Sequence, residues 1–169
     1  MLDLCNGIFA REDIHVKKKC MIIASILVVA ALLTGCGEDP ELTKFKKNFE
    51  NFCDNVSTLD SSINSIDPES DDAVKNLLKY IDQLENEFDK LADMDFPEDF
   101  DYLEELADQA YDYMEEAASS YHEAYADGTF QENVSDYALK NYKRAYKRIQ
   151  IILIYLHGDE PTAEDLITD

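Results

Sequence analysis

The chain has no tryptophan, five glycines, four prolines and three histidines in 169 residues. With so few glycines there is little material for a phosphate-cradling loop. No Gly-x-Ser-x-Gly or His-Glu-x-x-His occurs either. Basic residues are also scarce: 15 Lys and Arg stand against 37 Asp and Glu, for a net charge of −22. A field of that sign repels nucleic acid and anionic lipid, which excludes a general nucleic-acid role. It suits cationic peptides, divalent cations or plain solubility.

Long apolar runs are almost absent, and the one present is informative. Lys17, Lys18 and Lys19 precede an apolar run from Met21 to Leu33 that only Ser25 interrupts. At 13 residues it falls short of the roughly 18 that a helix needs to span a bilayer. A cationic start, a short apolar stretch and small residues after it are the parts of a secretory signal. The run ends in Leu33-Thr34-Gly35-Cys36. This segment resembles the signal of bacterial lipoproteins, whose lipobox is a Leu, two small or hydroxyl residues and a Cys. The resemblance implies that the Cys36 thiol accepts diacylglycerol and that cleavage follows in front of it. Residues 1–35 are then a signal peptide. Within it, Asp3, Arg11, Glu12 and Asp13 make the first fifteen residues net acidic, where a signal should open positive. Val16, readable as a GUG start, is therefore expected to open the translated chain.

Residues 36–169 carry 11 bases and 34 acids, net −23, over one domain's length. Residues 36–39 are a tether, 40–158 the folded part and 159–169 an acidic tail. Cys36 and Cys53 are its cysteines; with lipid on Cys36, Cys53 has no partner for a disulfide. It sits beside Phe52 in an apolar stripe and reads as a buried small hydrophobe.

Four stretches have helical periodicity. Asp39-Pro40 opens the first, in which Leu42, Phe45, Phe49, Phe52, Val56, Leu59, Ile63 and Ile66 alternate at spacings of three and four. Asp67-Pro68 ends it. The second has Val74, Leu77, Ile81, Leu84, Phe88 and Leu91, with Glu69, Asp71 and Asp72 expected in its first turn. Phe96-Pro97 is expected to start the third. Its inner face, Leu103, Leu106, Ala107, Ala110, Met114, Ala117, Tyr121 and Ala124, is rich in alanine, and Asp127-Gly128 should stop it. The fourth runs from about Gln131 to His157, with Val134, Ala138, Tyr142, Ala145, Ile149, Ile152 and Leu156 inward and Gly158 after it. The pattern predicts an all-α fold, an antiparallel up-down four-helix bundle, followed by a loose tail.

Catalytic and metal patterns are thin. The di-iron signature Glu-x-x-His fails, because Ser119 and Ile154 lie three residues before His122 and His157. Ser119 and His122 are one turn apart, but an exposed helix face supplies no pocket or oxyanion hole. Asp93, Asp95, Asp99, Asp101 and Glu104 fall at positions 1, 3, 7, 9 and 12 of a calcium-loop register. Pro97 and Glu98 stand where that loop needs a ligand and a glycine, so the calcium candidate is weak. No enzyme activity and no cofactor is expected.

Two surfaces stand out. Nine of ten tyrosines lie between Tyr102 and Tyr155 and suggest either the edge of a thin core or a groove for a peptide or sugar. Lys140, Lys143, Arg144, Lys147 and Arg148 form a basic stripe opposite the inner face of the fourth helix, and Ile151, Ile154 and Tyr155 continue that outward face as apolar residues. If the lipid holds the start of helix one at the membrane, the end of helix four lies there too, and the stripe stands roughly 14–26 Å above it. Ile151, Ile154 and Tyr155 then become candidates for membrane or partner contact, unless a neighbouring turn or the C-terminal tail covers Ile151 and Ile154, and the stripe a candidate for an acidic protein or wall polymer. The layout resembles small helical surface lipoproteins of Gram-positive bacteria. That resemblance implies an extracytoplasmic, lipid-anchored interaction module, with cation or cationic-peptide binding through the acidic surface as the alternative. Cys36→Ser should leave an unlipidated precursor, since a hydroxyl does not replace the thiol as lipid acceptor. Mass spectrometry of the membrane fraction should find diacylglycerol on Cys36 of the wild type and none on the variant.

Overall fold

The computed structural model describes residues 40–126 and 129–166. The signal run, the lipobox Leu33, Thr34, Gly35 and Cys36, and the Asp127-Gly128 stop lie outside the described residues. The described chain is all-α: α1 (Pro40–Asn64), α2 (Ala73–Ala92), a 3-10 helix (Glu98–Leu103), α3 (Glu104–Tyr125), α4 (Glu132–Leu156) and the short α5 (Ala163–Leu166). Among the described residues, no helix is long and apolar enough to cross a membrane.

Local chemistry explains where each helix starts and stops. Pro40 occupies the first helical position of α1, where its missing N–H leaves nothing unsatisfied. The second half of α1 is rich in hydroxyl residues, which favour turns because they compete for backbone partners. Here they turn that capacity inward: Thr58, Ser61 and Ser62 donate to the carbonyls of Asp54, Ser57 and Thr58 at 2.9, 2.8 and 2.8 Å. Between α1 and α2, Asp67 Oδ1 accepts from the Glu69 N–H at 3.0 Å and the Ala73 N–H reaches Ser70 O at 3.0 Å. That turn holds Glu69, Asp71 and Asp72 ahead of α2 rather than in its first turn. It also shifts the seam, so that Ala73 is buried and Val74 is 42 % exposed.

The third helix likewise begins later than its sequence suggests. Pro97 has extended backbone (φ −63°, ψ 152°), and a 3-10 helix intervenes before α3 starts at Glu104. α4 ends on Gly158 at φ +81°, the left-handed conformation that glycine adopts without strain. The Gly158 N–H donates to Tyr155 O at 2.9 Å and the Asp159 N–H to Ile154 O at 3.1 Å, closing the last turn. The tail was expected to be loose. Instead, Thr162 and Asp165 cap one another, the Thr162 N–H donating to Asp165 Oδ2 at 2.9 Å and the Asp165 N–H to Thr162 Oγ1 at 3.3 Å. α5 packs on α4, and Lys147 Nζ lies 3.6 Å from Asp165.

Consecutive long helices pair antiparallel. Lys44 meets Asp95, Phe52 meets Phe88 and Asn55 meets Glu87 as α1 rises against α2. Tyr102 meets Tyr155, Arg148 meets Gln109 and Tyr125 meets Phe130 between the segments at the two ends of α3 and α4. α3 and α4 share the broadest contact, α2 and α3 the next, and α1 and α2 the least. Small size permits the first of these: Ala107, Ala110, Ala117, Ala118 and Ala124 on α3 and Ala138 and Ala145 on α4 are all buried. Aromatic rings fill the wider half, with Phe45, Phe49, Phe52, Phe88 and Tyr146 forming a chain of centroid separations from 5.6 to 5.9 Å. At the centre Leu84 is wholly buried. Leu84→Ala should cost about 2–5 kcal/mol of unfolding free energy by chemical denaturation. Val74→Ala on the exposed side of the same helix should stay within about 0.5 kcal/mol.

Candidate functional site

The basic stripe of α4 divides into two kinds of residue. Lys140 and Lys143 are exposed, whereas Arg144, Lys147 and Arg148 are half-buried. The Arg144 and Arg148 guanidiniums lie 5.5 and 5.3 Å from the Tyr113 ring centroid, a cation–π arrangement on α3. Arg148 Nε donates to Gln109 Oε1 at 2.8 Å, and Arg144 Nη1 to Asn141 Oδ1 at 3.3 Å. The arginines therefore clasp the α3–α4 seam and do not stand clear of it, as a stripe opposite the inner face would. Lys147 is tied to Asp165. Among the described residues, none of Lys140, Lys143, Arg144 and Arg148 has an ion-pair partner, although the chain is rich in carboxylates.

The apolar end of the same face is covered in part. Ile151 is only 3 % exposed, not outward-facing, while Ile154 and Tyr155 are half-buried. α5 lies against α4 through Lys147, one turn before Ile151, and Tyr102 packs edge-on against Tyr155 at 5.5 Å. The tail and the 3-10 helix thus shelter much of the surface considered for membrane docking.

Several of the tyrosines pack against neighbouring side chains. Tyr113 lies under the arginines, Tyr102 meets Tyr155 and Tyr125 meets Phe130 at 5.3 Å. Tyr142 stacks on Tyr146 at 4.7 Å, and its hydroxyl donates to Asp60 Oδ1 at 2.8 Å and lies 3.1 Å from the Tyr146 hydroxyl. That bond joins α4 to α1, whose backbones stay apart. Burial pushes the Asp60 carboxyl above its ordinary range, with the Tyr142 hydrogen bond acting in the opposite direction. Tyr142 is driven well up by burial, then by Tyr146 and Asp60.

Asp93, Asp95, Asp99, Asp101 and Glu104 do not converge. They are strung over the end of α2, a turn held extended at Pro97, the 3-10 helix and the start of α3. Among the described residues, no three His, Cys, Asp or Glu side chains are grouped to hold a metal ion. His122 Nε2 lies 2.6 Å from Asp82 Oδ1 on α2, a pairing across helices rather than with Ser119. Cys53 is buried, and its thiol is pushed up to about 12 by burial and by Asp54 and Glu50, which keeps it protonated and a poor nucleophile.

Two features escaped the helical pattern. Asn141 is 1 % exposed, and its Nδ2 is unpartnered beside a similarly unpartnered Arg144 Nε. The spacing Ala138, Asn141, Ala145, Ile149, Ile152 carries that signal, since Asn141 occupies an inner position there. The second is a cavity of about 480 Å³ between α1, the end of α2 and the Asp93–Pro97 turn. Asn48, Asn51 and Asn55 line it on α1, opposite Glu87 and Lys90. Glu87 accepts from Asn55 Nδ2 at 3.0 Å and from Lys90 Nζ at 2.6 Å, so both of its carboxylate oxygens are held.

We compared the chain with protein-family models, curated proteins and solved structures. It matches none of them. The functional argument accordingly rests on the chain's own surfaces.

Asp60 yields a test of the α1–α4 closure. Its folded carboxyl holds a proton more tightly than the unfolded one, so its stabilising contribution is full below the unfolded range and is lost as pH rises through the folded value. Asp60→Asn keeps an acceptor for Tyr142 and removes the buried charge. Urea denaturation should find it as stable as the wild type or more so at pH 7, with the difference shrinking as pH falls toward 4. A loss above about 2 kcal/mol at pH 7 would show that the ionised bond is needed.

Proposed function

We propose that this chain is a lipid-anchored, non-catalytic interaction module outside the cytoplasmic membrane, and that its α4 cations meet an anionic polymer of the cell envelope. The export run and lipobox support the location, with lipid on Cys36 as the anchor. One observation carries the contact: among the described residues, Lys140, Lys143, Arg144 and Arg148 have no carboxylate partner, in a protein of net charge −22. Several other cations in such a field find acids within reach, as Lys147 does with Asp165, Lys90 with Glu87 and Lys75 with Asp72, whereas these four gather on one stretch of α4 with none among the described residues. Arg144 and Arg148 are held in place by Tyr113 and Gln109, which lowers the entropy lost when they take an anion. Lys140 and Lys143, exposed beside them, extend the patch by a further turn.

Height above the membrane favours the polymer over lipid phosphates. In an upright bundle anchored at the start of α1, most of the cations stand beyond the roughly 8 Å screening length from the headgroups. A wall polyanion reaches them there. The full chain in detergent should bind immobilised poly(glycerol phosphate) at about 0.15 M salt and release it as salt rises. Lys140→Glu with Lys143→Glu should weaken that binding roughly tenfold or more, at about 1 kcal/mol per basic residue near an anionic surface. Equal retention of wild type and variant would overturn the reading.

A further inference from the structure

The α1–α2 pair holds a second surface of a different chemical character. Its cavity of about 480 Å³ runs on, past Asn55, Glu87 and Lys90, into a neighbouring concavity of about 410 Å³ that reaches Thr58, Gln83 and Asn86. The two share those three residues and so form one groove. From Asn48 to Thr58 it follows α1 for ten residues, about 15 Å at 1.5 Å per residue. An extended chain of four or five residues, at about 3.3 Å each, has that length.

The groove walls are lined with primary amides. Asn48, Asn51 and Gln83 make no hydrogen bond with the described residues, while Asn55 and Asn86 each use Nδ2 and leave Oδ1 open. Asparagine is a weaker helix former than the Glu residues on the outer face of α3. Exposed amides at four helix positions in one groove therefore lower helix stability, and internal bonds account for only two of them. Glu87 on the floor is neutralised by Lys90, which leaves the middle of the groove near neutral in an otherwise acidic protein.

A primary amide presents a donor and an acceptor in one plane, matching the N–H and C=O of a peptide main chain. Asn51 and Asn55 are about 6 Å apart along α1, close to the repeat of roughly 6.6 Å between like-facing residues of an extended strand. Sugar rings would instead need aromatic faces, and Phe45 and Phe52 are buried with little ring surface offered. At the turn the groove ends on Asp93 and Asp95, both exposed; Asp95 has only a distant pairing with Lys44 at 3.9 Å.

We propose that this groove binds an extended peptide segment by its main chain, with a basic side chain directed to Asp93 and Asp95. The site lies on α1 and α2 and is independent of the α4 cations. Fluorescence polarisation of the full chain in detergent, against pooled labelled hexapeptides with one fixed Lys, tests it. Binding is expected, with loss on N-methylation of alternate main-chain amides and a fall of about tenfold in Asn51→Ala with Asn55→Ala. Pools with Glu in place of Lys should bind more weakly, and Asp93→Asn with Asp95→Asn should remove that difference. Exposed Asn→Ala changes favour helix, and circular dichroism verifies that the fold is kept. Lys140→Glu with Lys143→Glu should leave peptide binding unchanged, which separates this site from the polymer contact. Absence of binding by every pool, indifference to N-methylation or to the asparagine changes, or binding of a β-1,4-linked N-acetylglucosamine oligomer in place of peptide would each overturn the proposal.

Discussion

The close contact of α3 with α4 sets the geometry of everything around it. Side chains of one carbon let two backbones approach until little else fits between them. Larger residues of the same two helices, Met114, Tyr121, Ile149 and Ile152, are buried as well, and other aromatic rings lie at the margins. Tyr113 lies at one edge, near enough for Arg144 and Arg148 to reach across from α4 and rest on its ring. Tyr142 and Tyr146 lie at the other and point toward α1 and the phenylalanine chain. Volume missing from the narrow half is supplied by Phe45, Phe49, Phe52 and Phe88 in the wide half. The bundle is thus a tight helical hairpin with a bulkier pair packed beside it.

That asymmetry also explains why a groove opens where it does. Phe52 and Phe88 meet between α1 and α2, and a channel lined in part by Phe45, Phe52 and Phe96 lies along that pair. Glu87 is fixed at its floor by one amide and one ammonium. The charges around it are balanced locally, although the protein is strongly acidic overall. On α4 cations collect with little local compensation: Arg144 and Arg148 spend their reach on tyrosine and amide partners, while Lys147 pairs with Asp165. Two surfaces of different chemistry arise from one packing inequality.

The helices themselves were legible in the sequence because their apolar spacing survives translation into three dimensions almost unchanged. Phe45, Phe49, Phe52, Val56 and Ile63, then Leu77, Ile81, Leu84, Phe88 and Leu91, and the alanines of α3 are buried as their spacing predicts, while Leu42, Leu59 and Ile66 are half-buried. Boundaries were less legible where polar side chains make local bonds. Asp67 and Ser70 build a turn that delays α2, and Thr162 with Asp165 builds a helix where composition alone suggested a loose tail. The outward reading of α4 failed for a different reason. Periodicity places Ile151 and Arg144 away from the inner face, yet Ile151 is buried and the Arg144 guanidinium is long enough to reach Tyr113 on the next helix. The amide groove was invisible for a related cause: Asn48, Asn51 and Asn55 look like ordinary solvent positions until α2 is placed opposite them.

The graded contact between successive helices has a mechanical meaning. For a chain held through Cys36, tension from the anchor enters at Pro40, on the helix with the weakest attachment to its neighbour. Load applied to one end of α1 would peel its contacts in sequence rather than shear them together, and sequential rupture proceeds at low force. The α3–α4 hairpin lies at the far end of that path and would stay intact while α1 lifts. Such an ordering makes α1 a compliant element in series with a stiff one. A pull on the tether would open the groove before it disturbed the cationic face.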